Sequence, residues 1–219
     1  MAPRRCGKLH RPIKSWENLP LPPEELERKR EKLQELFGEV LTTLGFDWKR
    51  DPNMVDTPKR IAKMFLEFTE GNFTPMPSIT VFDLSEMEKD RVVGNIPVFV
   101  GPIEIKSLCS HHFLPIMGNV YFEYIPESKV LGLSKIPRII KWLARRPIIQ
   151  ELFTRQIVKT FLEILNNVKG IAVYVKAKHM CMTVRGVNES NAYMITEAFY
   201  GLYKENEELR ANFLRKIKE

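Results

Sequence analysis

Apolar residues recur at helical spacing in two consecutive stretches near the start of the chain. The first begins at Pro23 and ends near Gly45, a residue type that suits the C-terminal end of a helix. Its apolar positions are Leu26, Leu33, Leu36, Phe37, Val40, Leu41 and Leu44. The second is announced by Asp56 as an N-cap and Pro58 in the first turn, and Gly71 follows it. The pattern predicts an N-terminal pair of helices.

Strand-like segments occupy the middle of the chain. Residues 98–109 and 115–125 have β-type composition, with alternation at Val120, Phe122 and Tyr124. Residues 72–97 are rich in Pro, Ser, Thr and Asp, which predicts a connection with one strand. A further strand is predicted over residues 171–185.

Helical spacing returns in three later stretches. Ser134 is expected to cap a short helix, and a longer helix follows Pro147 until Gly170 breaks it. A final helix is predicted around residues 205–218. The apolar positions assigned to the first two of these helices are Ile136, Ile139, Ile140, Leu143, Ile149, Leu152, Phe153, Ile157, Phe161, Ile164 and Leu165.

The composition divides the chain into three parts. Residues 1–22 are rich in proline and lack apolar periodicity, so they are expected to form a flexible N-terminal arm. Residues 23–72 form a helical region, and residues 73–219 carry the strands and the remaining helices. No internal repeat is present.

Charge and composition narrow the class of protein. The chain has 34 Lys and Arg against 27 Asp and Glu, a net charge of +7. Lys and Arg mostly alternate with Glu along helices, so the charge does not favour nucleic acid over a phosphorylated metabolite. No apolar run approaches the ~20 residues that span a bilayer, and no signal core is present. We therefore expect a cytoplasmic protein that binds neither nucleic acid nor membrane.

Cysteine and histidine residues cluster in two short segments. The first holds Cys109, His111 and His112, and the second holds His179 and Cys181. Thiolate and imidazole are the donors that zinc prefers, and a catalytic site uses three protein ligands with one position open. Four donors would instead close a structural site, and the fifth donor argues mildly against that alternative.

Local geometry leaves the choice of ligands open. An extended chain would put Cys109 and His111 on one side, whereas a turn at Ser110 would bring His112 round instead. If residues 171–185 form one strand, alternation puts His179, Cys181 and Arg185 on a single face. That face would offer a metal ligand, a second catalytic group and a cation to one substrate.

A second group of residues suits anion binding. Ser134, Lys135 and Arg138 lie at a predicted helix start, where free N–H groups and the helix dipole attract phosphate. The alternative is an ordinary capped helix with exposed basic residues. The further candidate cations are Arg60, Lys63 and Arg185. Glu151 lies off the apolar stripe of its helix, and its carboxylate could accept hydrogen bonds from guanine.

These segments resemble the GTP cyclohydrolase I family in order and near spacing. The resemblance covers about residues 25–217 and rests on motifs at residues 56–64, 109–112, 132–135, 150–151, 179–182 and 185–186. It implies an α+β protein with the tunnelling fold, an antiparallel sheet with helices packed on one face. Residues 73–219 would be the catalytic domain. It also implies a homo-oligomer, commonly a decamer of two stacked pentamers, with sites at subunit boundaries.

The resemblance also implies residue roles. Zn²⁺ would be held by Cys109, His112 and Cys181. Proton transfer would fall to His111 and His179. Substrate contacts would come from Arg60, Lys63, Ser134, Lys135, Arg138, Gln150, Glu151 and Arg185, with Arg60 and Lys63 donated by a neighbouring subunit and Ser134 also serving catalysis. The implied reaction hydrolyses GTP and rearranges it to 7,8-dihydroneopterin triphosphate with release of formate.

Some positions depart from the family pattern. Ser110 stands where the family usually has Glu, which removes a carboxylate beside the metal segment. Where the family favours Ser and Thr, this chain has Ala192, Met194 and Glu197. These departures keep two alternatives open: a ring-opening hydrolase with an altered product or purine substrate, and a non-catalytic relative that binds zinc and nucleotide.

Overall fold

The computed structural model describes residues 12–83 and 96–218. Its helices are α1 Pro23–Thr43, α2 Thr57–Phe68, α3 Glu70–Phe73, α4 Lys135–Ala144, α5 Gln150–Leu165, α6 Met180–Thr183, α7 Leu202–Glu205 and α8 Glu207–Lys216. Its strands are β1 Val81–Asp83, β2 Val98–Cys109, β3 Pro115–Pro126, β4 Lys129–Leu131, β5 Pro147–Ile148, β6 Val168–His179 and β7 Met194–Gly201. No helix within these ranges has the length and apolar character needed to cross a membrane.

The main sheet has five strands in the order β5-β2-β3-β6-β7. Its long pairs are antiparallel, and only the short β5 runs parallel to β2. Because β2 and β6 both run antiparallel to β3, their C-terminal ends flank the start of β3. In this register Ile116 of β3 pairs with Ser107 on one side and with His179 on the other. Two segments distant in sequence therefore end side by side.

The core lies between one face of this sheet and the helices α4 and α5. Phe122 of β3 contacts Phe161 of α5, with ring centroids 4.3 Å apart, and Ile140 of α4 is fully buried in the same cluster. This arrangement confirms the expected α+β architecture with an antiparallel sheet and packed helices, but helices lie on both faces of the sheet rather than on one. A smaller cluster around Tyr203 and Phe213 joins α7 and α8 to the opposite face.

A buried charge lies beneath the C-terminal helices. Glu123 of β3 is 1% exposed, accepts a hydrogen bond from the Tyr203 hydroxyl at 2.5 Å and pairs with the ammonium group of Lys216. Both carboxylate oxygens thus have partners, as a buried charge requires.

The two predicted N-terminal helices are present, and they pack against each other. Phe37 of α1 stacks on Phe65 of α2 with ring centroids 5.3 Å apart, and Phe65 in turn meets Phe113 at 5.8 Å. The first helix ends at Thr43, and Gly45 takes the left-handed conformation with φ 91°. These contacts connect the helical region to the loop that follows β2.

Residues 15–21 of the expected flexible arm are held against the folded domain. The side chain of Asn72 donates to the carbonyls of Ser15 and Glu17, and Asn18 donates to carbonyls on and beside α3. The guanidinium of Arg146 donates to the carbonyl of Trp16 at 3.0 Å. The remainder of the predicted arm, residues 1–11, lies outside the described residues.

The secondary structure departs from the prediction at two strands of the main sheet. The predicted strand over residues 171–185 begins earlier, includes Gly170, and ends at His179, where the helical turn α6 takes over. Strand β7 was not predicted. Between residues 72 and 97 the predicted single strand is present as β1, which pairs with β4, and residues 84–95 lie outside the described part of the chain.

Candidate metal centre and substrate site

A tight turn follows β2 and reverses the direction of the chain. The N–H of Phe113 donates to the carbonyl of Cys109 at 2.9 Å, and the N–H of Cys109 donates to the carbonyl of Leu114 at 2.8 Å. Phe113 accommodates the reversal with φ 53°. As a result Nδ1 of His112 lies 3.8 Å from Sγ of Cys109. Of the two geometries left open by the sequence, the structure contains the turn at Ser110.

The helical turn α6 supplies the third donor. Cys181 lies just after the end of β6, beside the end of β2, because both strands flank the start of β3. The donor atoms of Cys109, His112 and Cys181 all lie within 4.8 Å of one another. The expected alternation of His179, Cys181 and Arg185 along one strand is wrong, since the chain is helical from Met180.

These three donors fit a zinc ion. Sulfur and nitrogen ligands at roughly 2.3 and 2.0 Å from a tetrahedral zinc lie about 3.5 Å apart, close to the Cys109–His112 separation. Both cysteines are free thiols. Burial raises the pKa of the Cys181 thiol, the Cys109 thiol adds to this shift, and the guanidinium of Arg185 opposes it. A bound cation would hold such thiols as thiolates.

His179 is the last residue of β6 and precedes the donor Cys181 by two positions. Its Nε2 atom is 2.9 Å from Oε1 of Gln150, the first residue of α5. Burial lowers the pKa of His179, and the carboxylate of Glu151 acts in the opposite direction. His111, the other histidine expected to transfer protons, is exposed, and its ring centroid lies 6.3 Å from that of His112.

The side chain of Gln150 is buried, and its amide group is surrounded by hydrogen-bond partners from the protein. It is 1% exposed, and its Nε2 atom lies within 3.2 Å of the carbonyls of Val175 and Met194 and of the hydroxyl of Thr196. Its neighbour Glu151 is exposed. Sequence analysis missed Thr196 because it did not predict β7, the strand that carries it.

The phosphate-binding residues expected at the start of α4 lie at or near the surface. Ser134 precedes α4, but its side chain makes no capping hydrogen bond, which corrects the predicted cap. Lys135 donates to the hydroxyl of Ser78 at 3.1 Å, and the side chain of Arg138 is exposed. The start of α4 therefore offers two cations to an anion.

The cations of α2 pair with acidic residues of their own segment. Arg60 lies 3.5 Å from Asp56, and Lys63 lies 3.8 Å from Glu67, all with exposed side chains. Arg185, in contrast, follows α6, and its guanidinium lowers the pKa of the Cys181 thiol. Arg60 and Lys63 lie on the surface of α2.

Comparisons with a family model and with individual proteins point to the same family. The family model of GTP cyclohydrolase I matches residues 33–218. A GTP cyclohydrolase 1 of Haemophilus ducreyi is 37% identical over 89% of this chain and 86% of its own length. That of Aeromonas hydrophila is 38% identical over 88% of this chain and 85% of its own length.

Among solved structures, the archaeosine synthase QueF-Like in the apo form matches 48% of this chain and 92% of its own, with 17% identity and a TM-score of 0.39. The family match spans the metal donors, His179 and the start of α5. The chain belongs to the GTP cyclohydrolase I family.

Proposed function

We propose that this protein is a zinc-dependent hydrolase that converts GTP to 7,8-dihydroneopterin triphosphate and releases formate. The observation that carries the proposal is the convergence of Cys109, His112 and Cys181 within 4.8 Å, next to His179, in a member of this family. Three ligands leave one position of a tetrahedral zinc for water or substrate. When bound, zinc supplies the Lewis acidity that makes water a nucleophile near neutral pH.

The remaining groups have separate tasks in this proposal. His179 and His111 move protons to and from the purine and the ribose, because imidazole titrates near neutral pH. Glu151, exposed beside His179, accepts hydrogen bonds from N1–H and the exocyclic amino group of guanine. Two hydrogen bonds to one carboxylate would orient the purine ring above the donor group.

The triphosphate is bound by basic residues from two regions of the chain. Lys135, Arg138 and Arg185 offer charge-assisted hydrogen bonds, and the hydroxyl of Ser134 offers one more. Arg60 and Lys63 join them from a neighbouring subunit of a decamer. Support for such an assembly comes from apolar side chains exposed on α1 and at its C-terminal end, namely Leu36, Val40 and Leu44.

The test is a product assay with zinc-loaded protein and GTP. We expect stoichiometric formate and a pterin that becomes fluorescent after oxidation. A zinc-loaded protein that releases neither would overturn the proposal. The thiolate ligands suit a reducing compartment such as the cytoplasm, so the assay is run under reducing conditions.

A second candidate function is ring opening without completion of the pterin. Its basis is Ser110, whose buried hydroxyl has no hydrogen-bond partner within residues 12–83 and 96–218. This hydroxyl therefore does not orient the metal donors that flank it, a task for which groups around a metal centre often matter about 10- to 100-fold. Mass spectrometry of the GTP reaction separates the two outcomes, since the ring-opened formamide retains the formyl carbon.

A further inference from the structure

The side-chain amide of Gln150 has only one orientation that satisfies its surroundings. Its nitrogen end faces three oxygen atoms: the carbonyl of Val175 at 3.2 Å, the carbonyl of Met194 at 3.1 Å and the hydroxyl of Thr196 at 3.2 Å. Carbonyl oxygens only accept hydrogen bonds, so the NH₂ group must lie on this side. The amide oxygen Oε1 consequently faces His179.

The hydroxyl of Thr196 enforces the same orientation. Thr154 donates its proton to the main-chain carbonyl of Gln150 at 2.8 Å. In the 2.6 Å contact between Thr154 and Thr196, Thr154 must then accept and Thr196 must donate. Because its single proton is donated to Thr154, the hydroxyl of Thr196 can only accept a hydrogen bond from Gln150. A flipped amide would place Oε1 against three acceptors in a buried environment, which costs several unmade hydrogen bonds.

This chain of hydrogen bonds has a consequence for the imidazole of His179. Oε1 of Gln150 carries no proton, so the 2.9 Å contact with Nε2 of His179 requires the hydrogen on Nε2. A neutral imidazole carries one proton, and the partner of one ring nitrogen decides which nitrogen holds it. The lone pair of neutral His179 therefore resides on Nδ1.

We propose that Gln150, fixed by Thr196 and Thr154, is a positioning residue that holds the imidazole of His179 in one orientation and in the Nε2–H tautomer. The proposal rests on the proposed function for the role of His179 in proton transfer. Gln150 then acts on the reaction through His179 rather than through contact with guanine.

The direct test observes the tautomer and needs no turnover. Zinc-loaded protein labelled with ¹⁵N-histidine is studied by magic-angle-spinning NMR at about pH 8.5, well above the ordinary histidine pKa of about 6.5. The His179 resonances are assigned by their loss in His179→Asn. We expect the proton on Nε2 in the natural protein and a mixture of tautomers in Gln150→Met. A proton on Nδ1 in the natural protein, or an unchanged tautomer in Gln150→Met, overturns the proposal.

Steady-state kinetics with GTP distinguishes positioning from substrate binding. We expect Gln150→Met to lower kcat by about 10- to 100-fold, with KM within about twofold of the natural value. Gln156→Met, on the same helix but away from His179, should leave both constants unchanged. A higher KM with unchanged kcat would make Gln150 a substrate contact and refute the positioning role. If the natural protein does not turn over GTP, the proposed function fails while the NMR result still decides the tautomer.

Thr196→Val provides a second variant with nearly the same shape, in case Gln150→Met does not fold. It removes the hydroxyl that accepts from Gln150 and donates to Thr154, and so loosens the amide. We expect the Nε2–H tautomer of His179 to lose population and kcat to fall by a smaller factor than in Gln150→Met. A fully retained tautomer together with an unchanged kcat would count against the relay.

Discussion

Sγ of Cys109 lies 3.8 Å from Nδ1 of His112, because the turn after β2 folds the chain back on itself. Cys181 completes this donor group from the other side of β3. We expect purified protein to carry zinc at one ion per donor group and Cys109→Ala to lose it, since two ligands bind zinc much more weakly than three. Metal content is measured by mass spectrometry after gel filtration.

The matched control for this experiment is Cys6→Ser, which changes the cysteine of the sequence other than Cys109 and Cys181. It should retain its zinc. If Cys109→Ala holds as much zinc as the natural protein, the metal is bound elsewhere and the donor group is wrongly assigned.

Replacing Glu151 should change substrate discrimination rather than folding. Its side chain is exposed, so Glu151→Gln removes a charge without leaving a cavity. Hydrogen bonds to a charged group are worth about 1.5–3 kcal/mol, so we expect kcat/KM for GTP to fall by at least about tenfold. Inosine triphosphate lacks the exocyclic amino group, and its kcat/KM should fall less.

The ratio of the two kcat/KM values is the decisive quantity for Glu151. It should move toward unity in Glu151→Gln. An unchanged preference for GTP in that variant would show that guanine is recognised by other groups.

Alkaline pH should destabilise the protein through its buried tyrosines. Burial, and next the Glu123 carboxylate, raise the pKa of Tyr203 above its ordinary value of 10.0. The folded protein therefore keeps a proton that the unfolded chain releases once the pH exceeds 10, and the free energy of unfolding falls as the pH rises further. Below that pH the contribution of Tyr203 is fully present.

Tyr203→Phe should flatten this alkaline loss of stability. At neutral pH it should cost about 1–3 kcal/mol, since the buried Glu123 loses a hydrogen-bond donor. Both effects are read from denaturant unfolding at a series of pH values. Tyr200→Phe, at an exposed position of β7, is the matched control and should leave both quantities unchanged. An unaltered alkaline slope in Tyr203→Phe would contradict the assignment.

The pairing of β3 with β6 tolerates no side chain at Gly118. A Cβ atom there would lie 2.2 Å from the carbonyl oxygen of Lys176 and 2.5 Å from Cα of Ala177, both in the facing strand. Gly118→Ala should lower the free energy of unfolding by about 1–3 kcal/mol or more, and reduce zinc content, because β6 leads directly into Cys181. Gly132→Ala, with no atom closer than 3.5 Å to the added Cβ, is the matched control.

The outcome for Gly118 is read from urea unfolding and metal analysis. Equal stability of Gly118→Ala and Gly132→Ala would mean that the two strands separate easily at this point, against the continuous register described above.

Much of the framework could be predicted from local patterns. The predicted bounds of the strand over residues 98–109 match β2, and the predicted start at Pro23 matches α1. In both cases the apolar residues keep a single spacing along the segment, and the segment has a clear boundary in the sequence. Strand β7 was missed because apolar residues such as Ile195 and Tyr200 are exposed in it, which blurs the alternation of apolar and polar positions.

The site was less accessible to prediction, because its geometry depends on contacts between distant segments. The turn after Cys109 is tied to β5 by the hydrogen bond from Ser110 to Ile148 at 3.1 Å, a pairing that no local pattern indicates. Cys181 was assigned to a strand that in fact ends two residues earlier. The surroundings of Gln150 include Thr196, on the strand that was not predicted.

The segment at residues 15–21 sets a practical limit on how far the chain can be shortened. The guanidinium of Arg146 is buried, and within the described ranges its Nε and Nη2 atoms have no hydrogen-bond partner, so the carbonyl of Trp16 is an acceptor it cannot spare. A truncated chain that starts at α1 would lack this acceptor, and it would also lack the carbonyls of Ser15 and Glu17 that accept hydrogen bonds from the side chain of Asn72. Expression boundaries and protease sites therefore belong ahead of Ser15.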